Sequence, residues 1–331
     1  IAEQTPSIWV DSWDRAGNHT LTHIRLIPAL TMLPLVRTTG AAEPSPDAWH
    51  STAGASGRTV LDLASANSQC NAVFAATDAG VYRSTDGGLS WQQRLAPPAA
   101  VEVNAAPQYE TATEGPSAFG MATAVAVCPT NPAIVYAGGW GSGVYRSSDG
   151  GATWQQRMAG LADPWIYDLA VAPDNCEAVY AATSSGGVFK TTNSALSWQA
   201  SNNGLGNLLT RSLAIAPGNP SRIYVGATSG VYRSDNAGAS WSATGGQLPA
   251  ATAWSLAAPS GSPDLVYVGL DGHGLYRSTT AGSAWSPANN GLAGAQVRAL
   301  IVDPSASTTL YAGREDGSGV YRSLDSAGSW S

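Results

Sequence analysis

The sequence predicts an all-β protein, a β-propeller of four-stranded blades, from two observations. Tryptophan recurs at a spacing near 44 residues over most of the chain, which indicates an array of one supersecondary unit. Within each unit, short alternating apolar runs are separated by Gly, Pro, Asn and Asp, and no stretch has an apolar 3.6-residue period long enough for a helix. The 331 residues are therefore expected to form a repeat array rather than two unrelated domains.

Each repeat is predicted to contain four strands. In the third repeat, residues 165–172 alternate and stop at Pro173, two further runs cover 178–183 and 187–191, and a fourth strand starts at Ser197. The joins between second and third strands are Gly-rich and short, as hairpins require. Placed around an axis, such units form a propeller, in which sheet edges stay short and protected.

The number of blades depends on residues 1–48. The N-terminal region contains four strand-like pieces, at 7–13, 21–27, 31–37 and around Trp49. This favours seven blades: a divergent blade from residues 1–48 and six repeats from residues 49–331, together forming one domain. The alternative is a six-bladed ring with an N-terminal arm that could add strands to a neighbouring subunit.

The turn between the third and fourth strands carries a motif. Residues 84–91 and 147–154 both read Ser/Thr-x-Asp-x-Gly-x-x-Trp. This pattern resembles the Asp box of the bacterial neuraminidase repeat (BNR) propellers, which include sialidases, xyloglucan hydrolases, sortilin-type receptors and photosystem II assembly factors. The resemblance covers residues 49–330. The sequence Gly-Val-Tyr-Arg-Ser-Thr-Asp-Gly-Gly is most similar to the corresponding sequence of the assembly factors and the xyloglucan hydrolases. Because that group contains enzymes, receptors and assembly factors, the fold alone does not select a function.

The motif is expected to be structural. Its Asp can accept hydrogen bonds from the backbone of its own turn, its Gly can take a positive φ, and its Trp can cover the turn. A device repeated around one rim does not make a unique active site. The predicted structural residues are Asp86, Trp91, Asp149, Trp154, Trp198, Trp241, Trp285, Asp325 and Trp330.

Composition argues against several classes of partner. The net charge is −7, whereas a nucleic-acid-binding protein needs a basic face. The basic residues that recur on third strands are expected to pair with neighbouring turns; they are Arg83, Arg146, Arg233, Arg277 and Arg322. Charged residues make up only 12%, and no apolar run approaches the ~20 residues of a membrane span, so a secreted or envelope protein without a transmembrane segment is expected.

Cysteine and histidine usage implies no metal or cofactor. The three cysteines, Cys70, Cys128 and Cys176, fall near the joins of first and second strands in consecutive repeats. One disulfide between adjacent blades with one free thiol, or free thiols only, both fit this spacing. No Cys/His arrangement has zinc-ligand spacing, and no nucleotide-binding loop is present.

Candidate binding residues lie on the face expected to be opposite the Asp boxes. They interrupt the repeat pattern in turns and at strand starts, and the 97–117 insertion adds one more; they are Trp140, Trp165, Trp254, Tyr109, His273, Arg314 and Glu315. Exposed aromatic rings beside charges can anchor a protein partner or stack on a sugar. Trp140, flanked by glycines, is the strongest candidate, whereas Trp165 and Trp254 could instead be plugs between blades.

No catalytic residue is assigned. Glycoside hydrolysis needs two carboxyl groups at a defined separation, and Asp62 and Asp168 occupy equivalent inner-strand positions. The resemblance to xyloglucan hydrolases implies a catalytic cleft between two propellers, whereas this sequence predicts only one propeller. Sialidases need three converging arginines and a Tyr/Glu pair; Arg211, Arg298 and Arg314 are available, but no such set can be assigned. A non-catalytic module that binds a protein partner is favoured, with a lectin or glycosidase, or a subunit of a larger extracellular assembly, as alternatives.

Overall fold

The computed structural model describes residues 7–13, 19–25, 58, 60–65, 72–88, 90–96, 121–292, 296–303, 306–314 and 320–331, the first two ranges by backbone alone. Every regular element in these ranges is a β-strand, which confirms the all-β class. Within them, no helical segment combines the length and apolarity that a bilayer crossing requires.

The described strands form one small sheet and six blades. The small sheet pairs β1 (Ser7–Trp13) with β2 (His19–Arg25). Blades 1 and 2 contain β3 (Val60–Ser65), β4 (Val73–Thr77), β5 (Gly80–Ser84), β6 (Gln92–Leu95), β7 (Ala122–Val127), β8 (Val135–Gly139), β9 (Gly143–Ser147) and β10 (Gln155–Gln156). Blades 3 and 4 contain β11 (Ile166–Ala172), β12 (Asn175–Thr183), β13 (Val188–Thr191), β14 (Gln199–Ala200), β15 (Thr210–Ala216), β16 (Asn219–Ala227), β17 (Gly230–Ser234) and β18 (Ser242–Ala243). Blades 5 and 6 contain β19 (Ala253–Ala257), β20 (Val266–Leu270), β21 (Gly274–Ser278), β22 (Ser286–Pro287), β23 (Val297–Val302), β24 (Leu310–Arg314) and β25 (Val320–Ser323).

Each blade is an antiparallel meander in which strands pair in sequence order. Blade 6 has three named strands, and Ser331 takes the place of the fourth by exchanging backbone hydrogen bonds of 2.9 and 3.0 Å with Arg322. The first strands of successive blades pack side by side from β3 to β23, so they line the inside of the ring. The chain is a β-propeller of six blades.

The prediction favouring seven blades is wrong, and the six-bladed alternative is supported. A blade needs a meander of paired strands, but β1 and β2 hydrogen-bond only to each other among the described strands. The remaining strand-like pieces, at 31–37 and around Trp49, lie outside the described residues. Alternating sequence predicts strands, whereas the joining of strands into a blade depends on tertiary pairing.

The core lies between blades. Second strands are almost fully buried, and one buried aromatic residue recurs at the same position in all six: Phe74, Tyr136, Tyr180, Tyr224, Tyr267 and Tyr311. Tyr180, for example, packs in one cluster with Ile223 and Trp241 of the next blade. Each such ring buries about 150–250 Å². Packing across junctions therefore accounts for most of the apolar burial.

The turn between third and fourth strands has the same hydrogen bonds in every blade. Oδ1 of Asp86 accepts the Ser90 amide at 3.0 Å, and Gly88 donates to the Ser84 hydroxyl at 2.7 Å. The residue equivalent to Asp86 accepts the amide four positions on in the other five blades too; these residues are Asp149, Asn193, Asn236, Thr280 and Asp325. The predicted turn chemistry is thus present, while assignment to the Asp-box family stays a prediction.

Basic residues on third strands connect neighbouring blades. Arg233 and Arg277 donate through Nη1 to the backbone oxygens of Ala281 and Ser326, at 2.5 and 2.9 Å. Both oxygens belong to the next blade's turn, as predicted for these arginines.

Other links join blades through their inner strands and through sulfur. The inner-strand hydrogen bonds run from Val125 N to Asp62 Oδ2 (2.8 Å), Thr123 Oγ1 to Ile166 O (2.6 Å), Leu213 N to Asp168 Oδ2 (2.6 Å), Ser212 Oγ to Ala253 O (3.0 Å) and Ser255 Oγ to Val297 O (3.3 Å). Cys128 and Cys176 form a disulfide between blades 2 and 3, with their Cα atoms 5.3 Å apart. Cys70 lies outside the described residues.

Candidate functional site

The two ends of each blade carry different loops. In blade 1, Val60 at the start of the inner strand pairs with Thr77, which in turn pairs with Gly80. Inner-strand starts and the turns between second and third strands therefore share one face, which we call the loop face. The turns between third and fourth strands lie at the opposite ends, on what we call the box face.

Every inner strand contains a β-bulge near its start, on the loop-face side. The pairing with the second strand skips one residue at the same place in all six blades: Leu61, Thr123, Tyr167, Arg211, Trp254 and Arg298. A bulge leaves the extra residue outside the regular ladder and changes the direction of its side chain. The fold thus presents one side chain per blade around the mouth of the ring.

Aromatic rings from blades 2 and 3 meet on the loop face. Trp140, in the turn after β8, packs edge-to-face against Trp165 and Tyr167 of blade 3, with ring centroids 5.1 and 5.2 Å apart. Trp140 and Trp165 also form an isolated β-bridge. Their side chains remain 38% and 37% exposed. Such edge-to-face pairs contribute about 0.5–1.5 kcal/mol beyond their burial, so the rings form a defined surface rather than separate side chains.

Two guanidinium groups extend this surface across blades 4 to 6. The Arg211 guanidinium lies 4.1 Å from the Tyr167 ring centroid and 5.9 Å from that of Trp254. On Trp254, Arg298 approaches to 3.6 Å. We call the whole set the arc; it consists of Trp140, Trp165, Tyr167, Arg211, Trp254 and Arg298. Four of its six members occupy bulge positions, and it carries two positive charges and no negative one.

Asp163 holds the part of the arc around Trp165. Its Oδ1 accepts the Trp165 amide at 3.0 Å, and its Oδ2 accepts the amides of Ser185 and Gly186 at 2.7 and 2.8 Å. Burial opposes ionisation of this carboxyl, but the hydrogen bonds from Ser185, Trp165 and Gly186 outweigh it and lower the Asp163 pKa. The ionised side chain therefore ties the start of β11 to the turn after β12.

Glycine allows the Trp140 turn to pass beneath the neighbouring indole. Gly141 has a φ of +80°, and a Cβ there would stand 3.0 Å from the Trp165 ring. A larger residue would be strained in the backbone and crowded by the ring. This close approach sets the spacing between Trp140 and Trp165.

The arc is suited to binding apolar and anionic groups together. Guanidinium groups lie over the rings of Tyr167 and Trp254, whereas Trp140 and Trp165 keep exposed apolar surface. A sugar stacks on a free aromatic face, but a peptide segment can place an apolar side chain beside the indoles and a carboxylate beside the arginines.

The predicted binding residues have different locations. Trp140, Trp165 and Trp254 belong to the arc. His273 lies in the turn after β20, where its Nδ1 is 2.7 Å from the backbone oxygen of Asp271. Arg314 donates to the Tyr321 hydroxyl at 3.2 Å within blade 6. Tyr109 and Glu315 lie outside the described residues. A role in binding stays a prediction for all of them.

Sequence reasoning missed Tyr167 and Asp163 and considered Arg211 and Arg298 only for a sialidase-like site. In the sequence, Tyr167 is one residue of an alternating run that predicts an ordinary strand. The position of Tyr167 in the repeat could have indicated its role. The second residue of each inner strand differs in chemistry from one repeat to the next, whereas a regular strand would favour similar residues there.

Asp62 and Asp168 connect blades and have unusual electrostatics. Each carboxylate accepts two backbone amides, one from its own strand and one from the next blade; the amides are Leu63, Val125, Leu169 and Leu213. Both side chains are enclosed by the ring yet still partly reached by solvent. Burial raises the pKa of Asp62 to about 7. Burial, and then the charge of Asp62, raises that of Asp168.

The described residues contain no group of three or more His, Cys, Asp or Glu side chains that could hold a metal ion. A cavity of about 370 Å³ opens on the box face, between blades 3 and 4.

Comparisons with known proteins identify the fold. No protein-family model and no curated protein matches the sequence. A GH74 enzyme from Niastella koreensis is 19% identical with a TM-score of 0.62, covering 83% of this chain and 45% of that one. YCF48 bound to a D1 peptide is 16% identical with a TM-score of 0.56, covering 98% and 93%. The extracellular domain of BT4673 from B. thetaiotaomicron is 13% identical with a TM-score of 0.58, covering 98% and 39%.

These similarities establish the propeller fold and no activity, because all lie below 25% identity. The chain spans less than half the length of the GH74 enzymes it matches. The similar structures include enzymes, a peptide-bound protein and extracellular domains, so a binding propeller is consistent with them.

Proposed function

We propose that this chain is a non-catalytic binding propeller that recognises a protein partner through its loop face. The observation that carries the proposal is the arc, because it combines exposed indoles with two guanidinium groups on one connected surface. Aromatic residues and arginine are the types most enriched at the energetic centres of protein interfaces. The similarity to YCF48 in complex with a D1 peptide is consistent with this function.

The partner segment is expected to be acidic and apolar. The chain as a whole carries a net charge of −7, so its overall charge does not attract acidic segments. Arg211 and Arg298 supply positive charge where Trp140 and Trp165 supply apolar contact area. Partner selection would therefore depend on charge at the arginines and on burial at the indoles.

A non-catalytic role is supported by the environment of the two inner-strand carboxylates. Asp62 and Asp168 each use both oxygens to accept backbone amides, which suits them to joining blades. A general acid or nucleophile must instead direct an oxygen at a substrate.

Carbohydrate binding is the second candidate, and the exposure of Trp140 and Trp165 favours it. We also propose an extracellular or envelope location, because the Cys128–Cys176 disulfide persists in oxidising compartments. Extracellular domains among the similar structures are consistent with that location.

The test is a parallel screen of the purified chain against a displayed peptide library and a polysaccharide panel that includes xyloglucan, with released reducing sugar followed. We expect acidic peptides with apolar residues to be enriched, and Trp140→Ala to lose them. Leu196→Ala is the matched control, because Leu196 is 57% exposed on the box face. Enrichment that survives Trp140→Ala would refute the proposal, and polysaccharide binding lost in that variant would establish the second candidate.

A further inference from the structure

The chain's single lysine, Lys190, lies beside a cavity on the box face. The other five repeats have arginine at this third-strand position. A cavity of about 370 Å³ opens between blades 3 and 4 and is lined by Lys190 and by residues of both blades. That volume lies within the range of about 300–1,000 Å³ typical of small-molecule sites.

Lys190 makes the contact to the next blade that arginines make at other junctions. Lys190 Nζ donates to the Ala237 oxygen at 2.7 Å, and Arg233 and Arg277 reach the equivalent oxygens of Ala281 and Ser326 at the next two junctions. Arg233 makes this contact through Nη1 while its Nε pairs with Asp235 at 2.9 Å. Lysine makes the contact with its only nitrogen and carries a smaller head group than arginine.

The lining has a distinct chemistry. Thr192, Gln199 and Asn203 are exposed polar side chains, and no hydrogen bond engages them within the described part of the chain. No Asp or Glu lines the cavity, although the chain is acidic overall. An ammonium group has three N–H donors, and the bond to Ala237 uses one. The groove thus offers one positive charge surrounded by amide and hydroxyl groups.

We propose that this groove binds a small hydroxyl-bearing carboxylate of monosaccharide size, that is, a sugar acid. The carboxylate would accept a charge-assisted hydrogen bond from Lys190, and Gln199 and Asn203 would each donate to and accept from ring hydroxyls. The polar lining disfavours apolar ligands, and the single charge disfavours polyanions. The site lies on the face opposite the arc and is independent of the function proposed for it.

Calorimetry and saturation-transfer NMR with glucuronate, glucose and inorganic phosphate test the proposal. We expect saturable binding of glucuronate at millimolar concentrations. Binding should weaken at least about tenfold in Lys190→Met, which removes the charged donor. It should also weaken in Lys190→Arg, which keeps the charge but introduces a larger, planar group beside the groove. Arg277→Met is the matched control for Lys190→Met, because it removes the equivalent donor at another junction, and it should bind glucuronate as the unmodified chain does.

Several results would overturn the proposal. Absence of saturable glucuronate binding would refute the site. Equal affinity for glucose would show that the carboxylate is not recognised, and equal affinity for phosphate would show that the hydroxyls are not. If the Lys190 variants do not fold, the double variant Gln199→Ala, Asn203→Ala decides, since both side chains are exposed. Unchanged affinity in that variant would refute the proposal, and weakened affinity would support it.

Discussion

The Arg298 guanidinium lies 3.6 Å from the ring centroid of Trp254, although the two residues belong to different blades. Arg211 approaches the same ring at 5.9 Å, so one indole stands between two cations. Aromatic quadrupoles attract each cation, by about 0.5–2 kcal/mol, but do not cancel the repulsion between them. Guanidinium groups donate charge-assisted hydrogen bonds to carboxylates, which makes this end of the arc the expected position for an anionic group.

Arg211→Gln is expected to weaken binding of a selected acidic peptide by about tenfold, which corresponds to ~1.4 kcal/mol, and to reduce the salt dependence of its affinity. The measurement is the dissociation constant at low and high salt. Arg222→Gln is the control, because Arg222 pairs with Asp235 and Asp264 on the box face. An equal loss in the control would mean that net charge, rather than the arc, governs binding.

Asp163→Ala is expected to lower the free energy of unfolding by about 2 kcal/mol or more. It leaves the amides of Trp165 and Ser185 without their acceptor and removes one of the two acceptors of the Gly186 amide. Urea denaturation gives the stability, and near-UV circular dichroism reports the packing of the indoles. Asp163→Asn, which retains one acceptor oxygen, should lose less. If both variants match the parent in stability and in spectrum, Asp163 does not position Trp165.

Removing the disulfide with the double variant Cys128→Ser, Cys176→Ser should destabilise the propeller. The bridge spans a sequence separation of 48, for which chain entropy gives at most about 4 kcal/mol. Thermal unfolding with and without a reductant measures the effect. Cys70→Ser keeps the bridge and should behave as the parent does. A reductant that lowers the melting temperature of the double variant as much as that of the parent would contradict this interpretation.

Ala237→Gly is expected to stabilise the fold by up to about 1 kcal/mol. Ala237 has a φ of 53°, a left-handed conformation that costs a residue with a Cβ about 1–2 kcal/mol, partly offset by the greater unfolded-state entropy of glycine. The control lies two residues on: Ala239 is exposed and is not in the left-handed region, so Ala239→Gly should destabilise. Chemical denaturation of both variants checks the opposite signs.

Stability is expected to fall as the pH rises from about 4 to about 7. Asp62 has a folded pKa of about 7 against an ordinary 3.8, so the folded state holds more protons in this range, and Asp168 acts in the same direction. Each carboxyl contributes a slope of at most about 1.4 kcal/mol per pH unit. Asp62→Asn should flatten the profile in denaturation curves recorded across this range.

Below about pH 4, stability is expected to change in the opposite direction and to fall as the pH falls. Hydrogen bonds from Ser329 and Ser323 lower the pKa of Asp325 to about 2. The stability that ionised Asp325 contributes to the folded state is present above the ordinary Asp pKa and is lost as the pH falls towards 2. The two limbs occupy separate pH windows, so a parent profile that rises steadily from pH 4 to 7 would contradict the assignment of Asp62.

The blades could be predicted because their cause is local: the same turn hydrogen bonds and a Trp packed beside the turn recur in each repeat. The number of blades could not, since strand-like sequence near the N-terminus does not specify whether its strands join a blade. Trp140, Trp165 and Trp254 could be selected as interruptions of the repeat. Their combination with Tyr167 and two arginines depends on the bulge register, which is a property of strand pairing and not of any single repeat.

The six bulges also separate the residues whose pairing holds each blade together from the skipped residues, whose side chains can vary. Because the skipped residue lies outside the ladder of each inner strand, its side chain can be exchanged without breaking the pairing that holds the blade. Leucine, threonine, tyrosine, tryptophan and arginine all stand at this one position in a single chain. Thr123 is the exception, because its hydroxyl joins blades 2 and 3. Recognition in such a propeller can therefore diverge by single substitutions at the other five places while folding stays unchanged, which makes those five codons the natural library for engineering new specificity.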